Sequence, residues 1–185
     1  MKQETKAAGP LAQFLSADHR RLDALLKSTA SKMGQVNRKV YDQFRAGLLR
    51  HIGMEEKILF PAVQRQRGGD PLPIAAKLRL DHGALATLLM PSPTPAILAA
   101  IRRLLVDHNA LEEGPDGVYD LCDQAAGTET ESLLKALRDA PSVAVMPHSD
   151  SPAVMTTLRR ALERAGYSMD ADIGRDVPAT PAQES

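Results

Sequence analysis

Two segments of this chain repeat one pattern. His51-Ile52-Gly53-Met54-Glu55-Glu56 and His108-Asn109-Ala110-Leu111-Glu112-Glu113 each place a histidine and a glutamate four residues apart. On an α-helix, residues i and i+4 lie on one face, one turn apart. An imidazole and a carboxylate placed there can share one metal ion, and a carboxylate, having two oxygens, can also join two ions. Each pair has a histidine upstream in matching surroundings. His19 follows Asp18 and precedes Leu22, Leu25 and Leu26; His82 follows Asp81 and precedes Leu85, Leu88 and Leu89. The leucines fall at the same offsets from both histidines. The chain therefore reads as two half-repeats, each a histidine helix followed by a His-x-x-x-Glu helix. Two units are too few for a solenoid, but two helical hairpins can pair face to face as a four-helix bundle. The expected fold class is all-α, with further helices after the bundle.

Apolar periodicity sets the elements. Helix one is expected over about 11–28, with Leu11, Leu15, Leu22 and Leu26 on a stripe that includes His19. Helix two spans about 36–66. Its inward stripe is Val40, Phe44, Leu48, His51, Glu55, Ile58 and Ala62, and Pro61 should kink it near its end. Asp70 and Pro71 would cap and open helix three, which turns Ala75, Leu78, His82, Leu85 and Leu89 inward. After the stiff Pro91–Pro95 break, helix four carries Ile97, Ile101, Leu105, His108 and Glu112 on one face. Gly114-Pro115-Asp116-Gly117 interrupts it, and helix resumes at about 118–126. Thr128-x-x-Glu131 has the form of a capping box for a short helix ended by Pro141. Ser151 and Pro152 open a last helix, closed by Gly166. The expected organisation is a flexible N-terminus at 1–10, a metal-binding bundle at 11–140, a linker and C-terminal helix at 141–169, and a disordered tail at 170–185.

A single histidine on an apolar stripe is most often a hydrogen-bonded core residue. Glutamates on such a stripe say more, because charged groups are almost never fully buried unpaired. Burying His19, His51, Glu55, His82, His108 and Glu112 without a cation would cost on the order of several kcal/mol per uncompensated charge. Four imidazoles and two carboxylates are too many ligands for one tetrahedral zinc, and magnesium or calcium would prefer oxygen alone. Two first-row metals, each with two histidines and sharing both carboxylates, use every ligand. Iron suits that nitrogen and oxygen set, with manganese or a mixed pair left open. His148, between Pro147 and Ser149 in a linker, reads as a surface histidine. Glu56 and Glu113 are one residue off their stripes and read as solvated. Asp18, Asp81 and Asp107 read as solvated or inter-helix groups, with a role in orienting a histidine of another helix as the alternative.

The motifs at His51–Pro61 and His108–Glu113 resemble those of the hemerythrin-like, or HHE cation-binding, proteins, over about residues 11–126. The resemblance implies an up-down four-helix bundle around two non-haem irons (ferrous or ferric, with an oxo or hydroxo bridge). His19, His51, His82 and His108 would be terminal ligands, and Glu55 and Glu112 would bridge. The invertebrate oxygen carriers of that family have a second histidine four residues after the one on helix three; here that residue is Ala86. The set is closer to the four-histidine, two-glutamate bacterial members, some linked to repair of iron–sulfur centres and to nitric oxide stress. Two functions follow as expectations: capture of O2 or NO for sensing or storage, or an enzyme-like role in iron–sulfur cluster repair or in reduction of NO or peroxide. The Gly114–Gly117 break leaves the placement of Tyr119 open. Zero formal net charge over the 185 residues, with no Trp, argues against nucleic acid as a partner. No run approaches the roughly 18 apolar residues that a membrane span needs. With no signal-like segment and one cysteine, Cys122, a cytoplasmic location is the simplest expectation. The oligomeric state is not written in these features.

Overall fold

The computed structural model describes residues 7–29 and 35–168. Residues 1–6 of the expected N-terminal segment, 30–34 of the first connection and the expected tail at 170–185 lie outside the described residues. The elements are α1 (Pro10–Ser28), α2 (Arg38–Met54), α3 (Phe60–Gln66), α4 (Ala75–Leu88), α5 (Pro95–Glu113), α6 (Val118–Ala126), α7 (Thr130–Arg138) and α8 (Pro152–Ala165). A π turn at Glu55–Leu59 joins α2 and α3 into one rod. Pro61 brings no N–H and its ring crowds the carbonyl of Lys57. The wider turn accommodates this, with the Phe60 N–H bonded to the Glu55 carbonyl five residues back.

Three helix starts are fixed by a local side-chain cap. Asn37, Thr94 and Ser151 accept from the backbone N–H of Val40, Ile97 and Val154, satisfying a first-turn donor each time. For α1 the cap comes from another helix: Asp123 of α6 accepts from Leu11 and Ala12, both at 3.0 Å. Two expected starts are corrected. α4 begins at Ala75, not Pro71, because Pro73 holds Leu72 out of helical geometry and the first turn closes from the Ala75 N–H to the Leu72 carbonyl. Thr128 and Glu131 form no capping box. A 3₁₀ turn at Gly127–Glu129 intervenes, and the Thr130 hydroxyl donates to Gly127 instead.

The chain threads two apolar clusters in alternation. One holds Leu11 and Leu15 of α1, Met54 and Val63 of the rod, Leu78 of α4 and Val118 of α6. The other holds Leu22 and Leu26, Phe44 and Leu48, Leu85 and Leu88, and Ile101 and Leu104. α1 runs from the first cluster to the second, the rod returns, α4 goes out again and α5 returns. This is an up-down four-helix bundle. Each helix crosses one middle layer and places one histidine in it: His19, His51, His82 or His108. The π turn shifts the register beyond Glu55, so Leu59 is fully buried and Ile58 only half-buried; on α5 the fully buried residue is Leu104, not Leu105.

α6 and α7 close the first-cluster end, and α8 packs on α4 with Leu158, Ala161, Leu162 and Ala165 buried. The segment between α7 and α8 is extended and tied down. Buried Arg45 of α2 donates to the carbonyls of Leu89 and Met146 at 2.9 and 3.0 Å. Arg50 donates to those of Leu137, Arg138 and Ala140, closing the C-terminus of α7. His148 is not a surface residue. Its Nδ1 lies 2.9 Å from the Pro91 carbonyl and its ring stacks on Tyr41, because the tied linker lays it against α2. Replacing fully buried Leu158 by Ala should lower stability by roughly 2–5 kcal/mol. Chemical denaturation checks this; an unchanged midpoint would mean that α8 does not dock.

Candidate metal centre

The middle layer brings six side chains together in two groups. His19, His51, Glu55 and Glu112 offer donor atoms that all lie within 4.8 Å of one another, and so do His82, His108, Glu55 and Glu112. All six side chains are buried. In the first group, Glu55 Oε1 is 3.4 Å from His51 Nε2, and Glu112 Oε2 is 3.4 Å from His19 Nε2. In the second, Glu55 Oε2 is 3.2 Å from His82 Nε2, Glu112 Oε1 is 3.2 Å from His108 Nε2, and the two Nε2 atoms are 3.1 Å apart. Each carboxylate thus turns one oxygen to each group. The i,i+4 spacing sets both His-Glu pairs on one face of α2 and α5, and the antiparallel packing brings the lone histidines of α1 and α4 opposite them.

The other ring nitrogens are also engaged. His19 Nδ1 is 2.5 Å from Glu113, His51 Nδ1 is 3.0 Å from Asp18, and His82 Nδ1 is 2.8 Å from Glu56. His108 Nδ1 stands 3.5 Å from Asp81, an electrostatic contact longer than a hydrogen bond. A carboxylate at Nδ1 favours the Nδ1–H tautomer and leaves the Nε2 lone pair facing inward. The pattern is two-fold. The aspartate before the first histidine of each half serves the second histidine of that half; the glutamate after each of Glu55 and Glu112 serves the other half. Glu56 and Glu113, expected in solvent, are therefore corrected to partners of His82 and His19. In a close-packed bundle, a residue one step round from the inward stripe faces the neighbouring helix. The doubled Asp-His and Glu-Glu neighbours were the signal in the sequence. Asp107 pairs with Arg103 on the surface.

This chemistry demands positive charge. Burial opposes a proton on His51, but the Glu55 carboxylate and the hydrogen bond to Asp18 outweigh it and push its pKa up to about 10. Burial likewise opposes charge on His108, yet Asp81 and Glu112 push it up to about 9. Burial would raise Asp18, but its bonds to His51 and Arg21 hold it down at about 2. Burial disfavours the charged form of Glu55, and its histidine neighbours His51 and His82 pull it well below the carboxylate range all the same. Glu55 Oε2 and Glu112 Oε1 are buried with no hydrogen-bond partner. Lone pairs that converge in this way fit a cation.

The Hemerythrin HHE cation binding domain matches residues 11–116. The chain belongs to that family. No curated protein and no solved structure matches it. The hemerythrin match takes in all six convergent residues and stops before α6, which the structure places against the same layer.

Tyr119 of α6 is the residue that sequence reasoning could not place. Its hydroxyl donates to Glu55 Oε1 at 2.6 Å. Burial first, then the Glu112 and Glu55 carboxylates, raise its pKa well above that of an ordinary phenol. Among the described residues no helix is long and apolar enough to cross a membrane.

Two outcomes follow. Glu113→Gln and Glu56→Gln, each removing an anion from Nδ1, should weaken metal binding at the histidine they serve by about 10–100-fold; titration with a competing chelator reads this, and unchanged affinity would make both residues bystanders. Metal uptake must also displace protons from His51, His82 and His108, whose folded pKa values are raised. Apparent affinity should therefore climb with pH until about 9 and 10, where His108 and His51 release their protons unaided. Calorimetry in buffers of different ionisation enthalpy counts the protons released.

Proposed function

We propose that His19, His51, His82 and His108 are terminal ligands, and Glu55 and Glu112 bridging ligands, of two first-row metal ions, iron before manganese. One observation carries this reading: two buried four-donor groups share two carboxylates, each turning one oxygen to each group. A pair of irons bound there would supply a redox-active centre able to take up NO or O2. The protein's own part is to fix the imidazole tautomers through Asp18, Glu56, Asp81 and Glu113, and to keep bulk water out of the layer.

A groove of about 360 Å³ between α1 and α5 has His19 in its wall, beside Leu22, Leu26, Leu105 and Val106, with the charged Asp23, Lys27 and Arg102 along it as well. Its apolar stretch beside His19 suits a small ligand better than a bulky one. This supports the diatomic reading, in which the protein binds or reacts with NO or O2 in sensing, storage or stress response. Catalytic reduction of NO or peroxide, or iron donation to damaged iron–sulfur clusters, is the alternative, and turnover under a reductant separates the two.

Protein loaded anaerobically with ferrous iron should hold two irons per chain and change its absorption when NO is added. One metal per chain at saturation, or zinc held tetrahedrally, would sink the reading. His51→Ala and His108→Ala should each lose metal and the thermal stabilisation that binding to the folded state confers. His148→Ala, at a position against Tyr41 and Asp42 near the start of α2, should keep both ions.

A further inference from the structure

The Tyr119 hydroxyl sits among all four donors of the first group. It lies 2.6 Å from Glu55 Oε1, 3.2 Å from Glu112 Oε2, 3.2 Å from His19 Nε2 and 3.3 Å from His51 Nε2. The residue is 1 % exposed. Over the second group, Glu55 Oε2 and Glu112 Oε1 have no such partner. In octahedral coordination with bonds of about 2.1 Å, adjacent donors stand about 3 Å apart. The Tyr119 oxygen meets that spacing to four donors at once, as a ligand above a square of four would.

The backbone is built to put it there. An unbroken α5 would carry residue 119 about 10 Å along the axis beyond Glu112. Instead the Gly117 N–H closes on the Gly114 carbonyl at 2.8 Å, with Asp116 at φ 57°. A Cβ on Gly117 would lie 2.5 Å from the Glu112 carbonyl oxygen. The turn packs against the residue that bears the bridging carboxylate, and α6 starts again with its second residue, Tyr119, aimed into the layer.

We propose that Tyr119 is a fifth protein ligand of the metal ion held by His19 and His51, making the two halves of the centre unlike: phenolate on one side, an open position on the other. The inference rests on the two-metal reading above. As the metal–oxygen bond forms, the phenol O–H bond breaks and its proton passes to solvent, together with those displaced from the histidines. The hydrogen bond to Glu55 is given up, and that oxygen turns to the metal.

The test uses the full chain, loaded with ferrous iron and then oxidised with ferricyanide, read by metal content and by resonance Raman under visible excitation. Ferric phenolates absorb in the visible and enhance tyrosine ring vibrations; imidazole and carboxylate ligands do not. Two irons per chain with enhanced ring vibrations are expected, and the bands should shift when the tyrosines are ring-deuterated. Tyr119→Phe should keep two irons and lose the vibrations. Tyr41→Phe and Tyr167→Phe, which alter the other two of the three tyrosines, should keep them. Two irons without phenolate vibrations in the unaltered protein would overturn the proposal and leave the two-metal reading standing. Vibrations that persist in Tyr119→Phe would overturn it too. No iron in any variant would overturn both. The measurement on the unaltered protein decides the matter even if Tyr119→Phe fails to fold.

Discussion

Glu55 and Glu112 carry negative charge where no water reaches them. Placing a carboxylate in a bundle core is unfavourable by several kcal/mol unless a counter-charge comes with it. Here protonated His51 and His108 supply part of that counter-charge, and a cation between the two carboxylates and four imidazoles would supply it in their place. The apolar clusters on either side grip this layer and fix its geometry. The order of the helices follows from the same demand: each of the four must cross the layer once and place one histidine in it, which an alternating path between the clusters achieves.

The layer has a two-fold pattern that the backbone only partly respects. Asp18 and Asp81 serve matching histidines, as do Glu56 and Glu113. α5, however, is regular through Glu112, whereas the rod passes into a π turn at Glu55. Tyr119 reaches only the first group, and among the described residues nothing corresponding to α6 covers the second. The halves are alike in ligands and unlike in what lies just outside them.

Much of this was legible in the chain itself. Doubled His-x-x-x-Glu spacing on apolar stripes gave the six convergent residues and the four helices that hold them. Glycine and proline marked the break after Glu113 and the ends of α8. What was not legible depended on the distance between helices, which no periodicity encodes. Glu56 and Glu113 look solvated on a single helical wheel and become histidine partners only when the neighbouring helix arrives. Leu59 displaces Ile58 from the core because a π turn adds a residue that an α-helical count does not expect. His148 is drawn in by Arg45 and Tyr41, to which it has no sequence relation. Tyr119 depends on a turn whose direction is set by contacts of Gly117 with the backbone.

The Lys77 side chain joins features otherwise far apart. Its ammonium donates to Asp81, the partner of His108, and to the carbonyl of Ala165 at the end of α8. The acids behind His19, His51 and His82 keep some contact with water, with Glu113 at 34 %, Asp18 at 12 % and Glu56 at 21 % side-chain exposure, whereas Asp81 has none. Three histidines therefore have short conduits to solvent through their own carboxylates. The fourth conduit is plugged: charge leaving His108 by way of Asp81 meets Lys77 and the last turn of α8. The C-terminal helix covers one corner of the centre, where His108 and Asp81 face water only by way of Lys77, itself 40 % exposed.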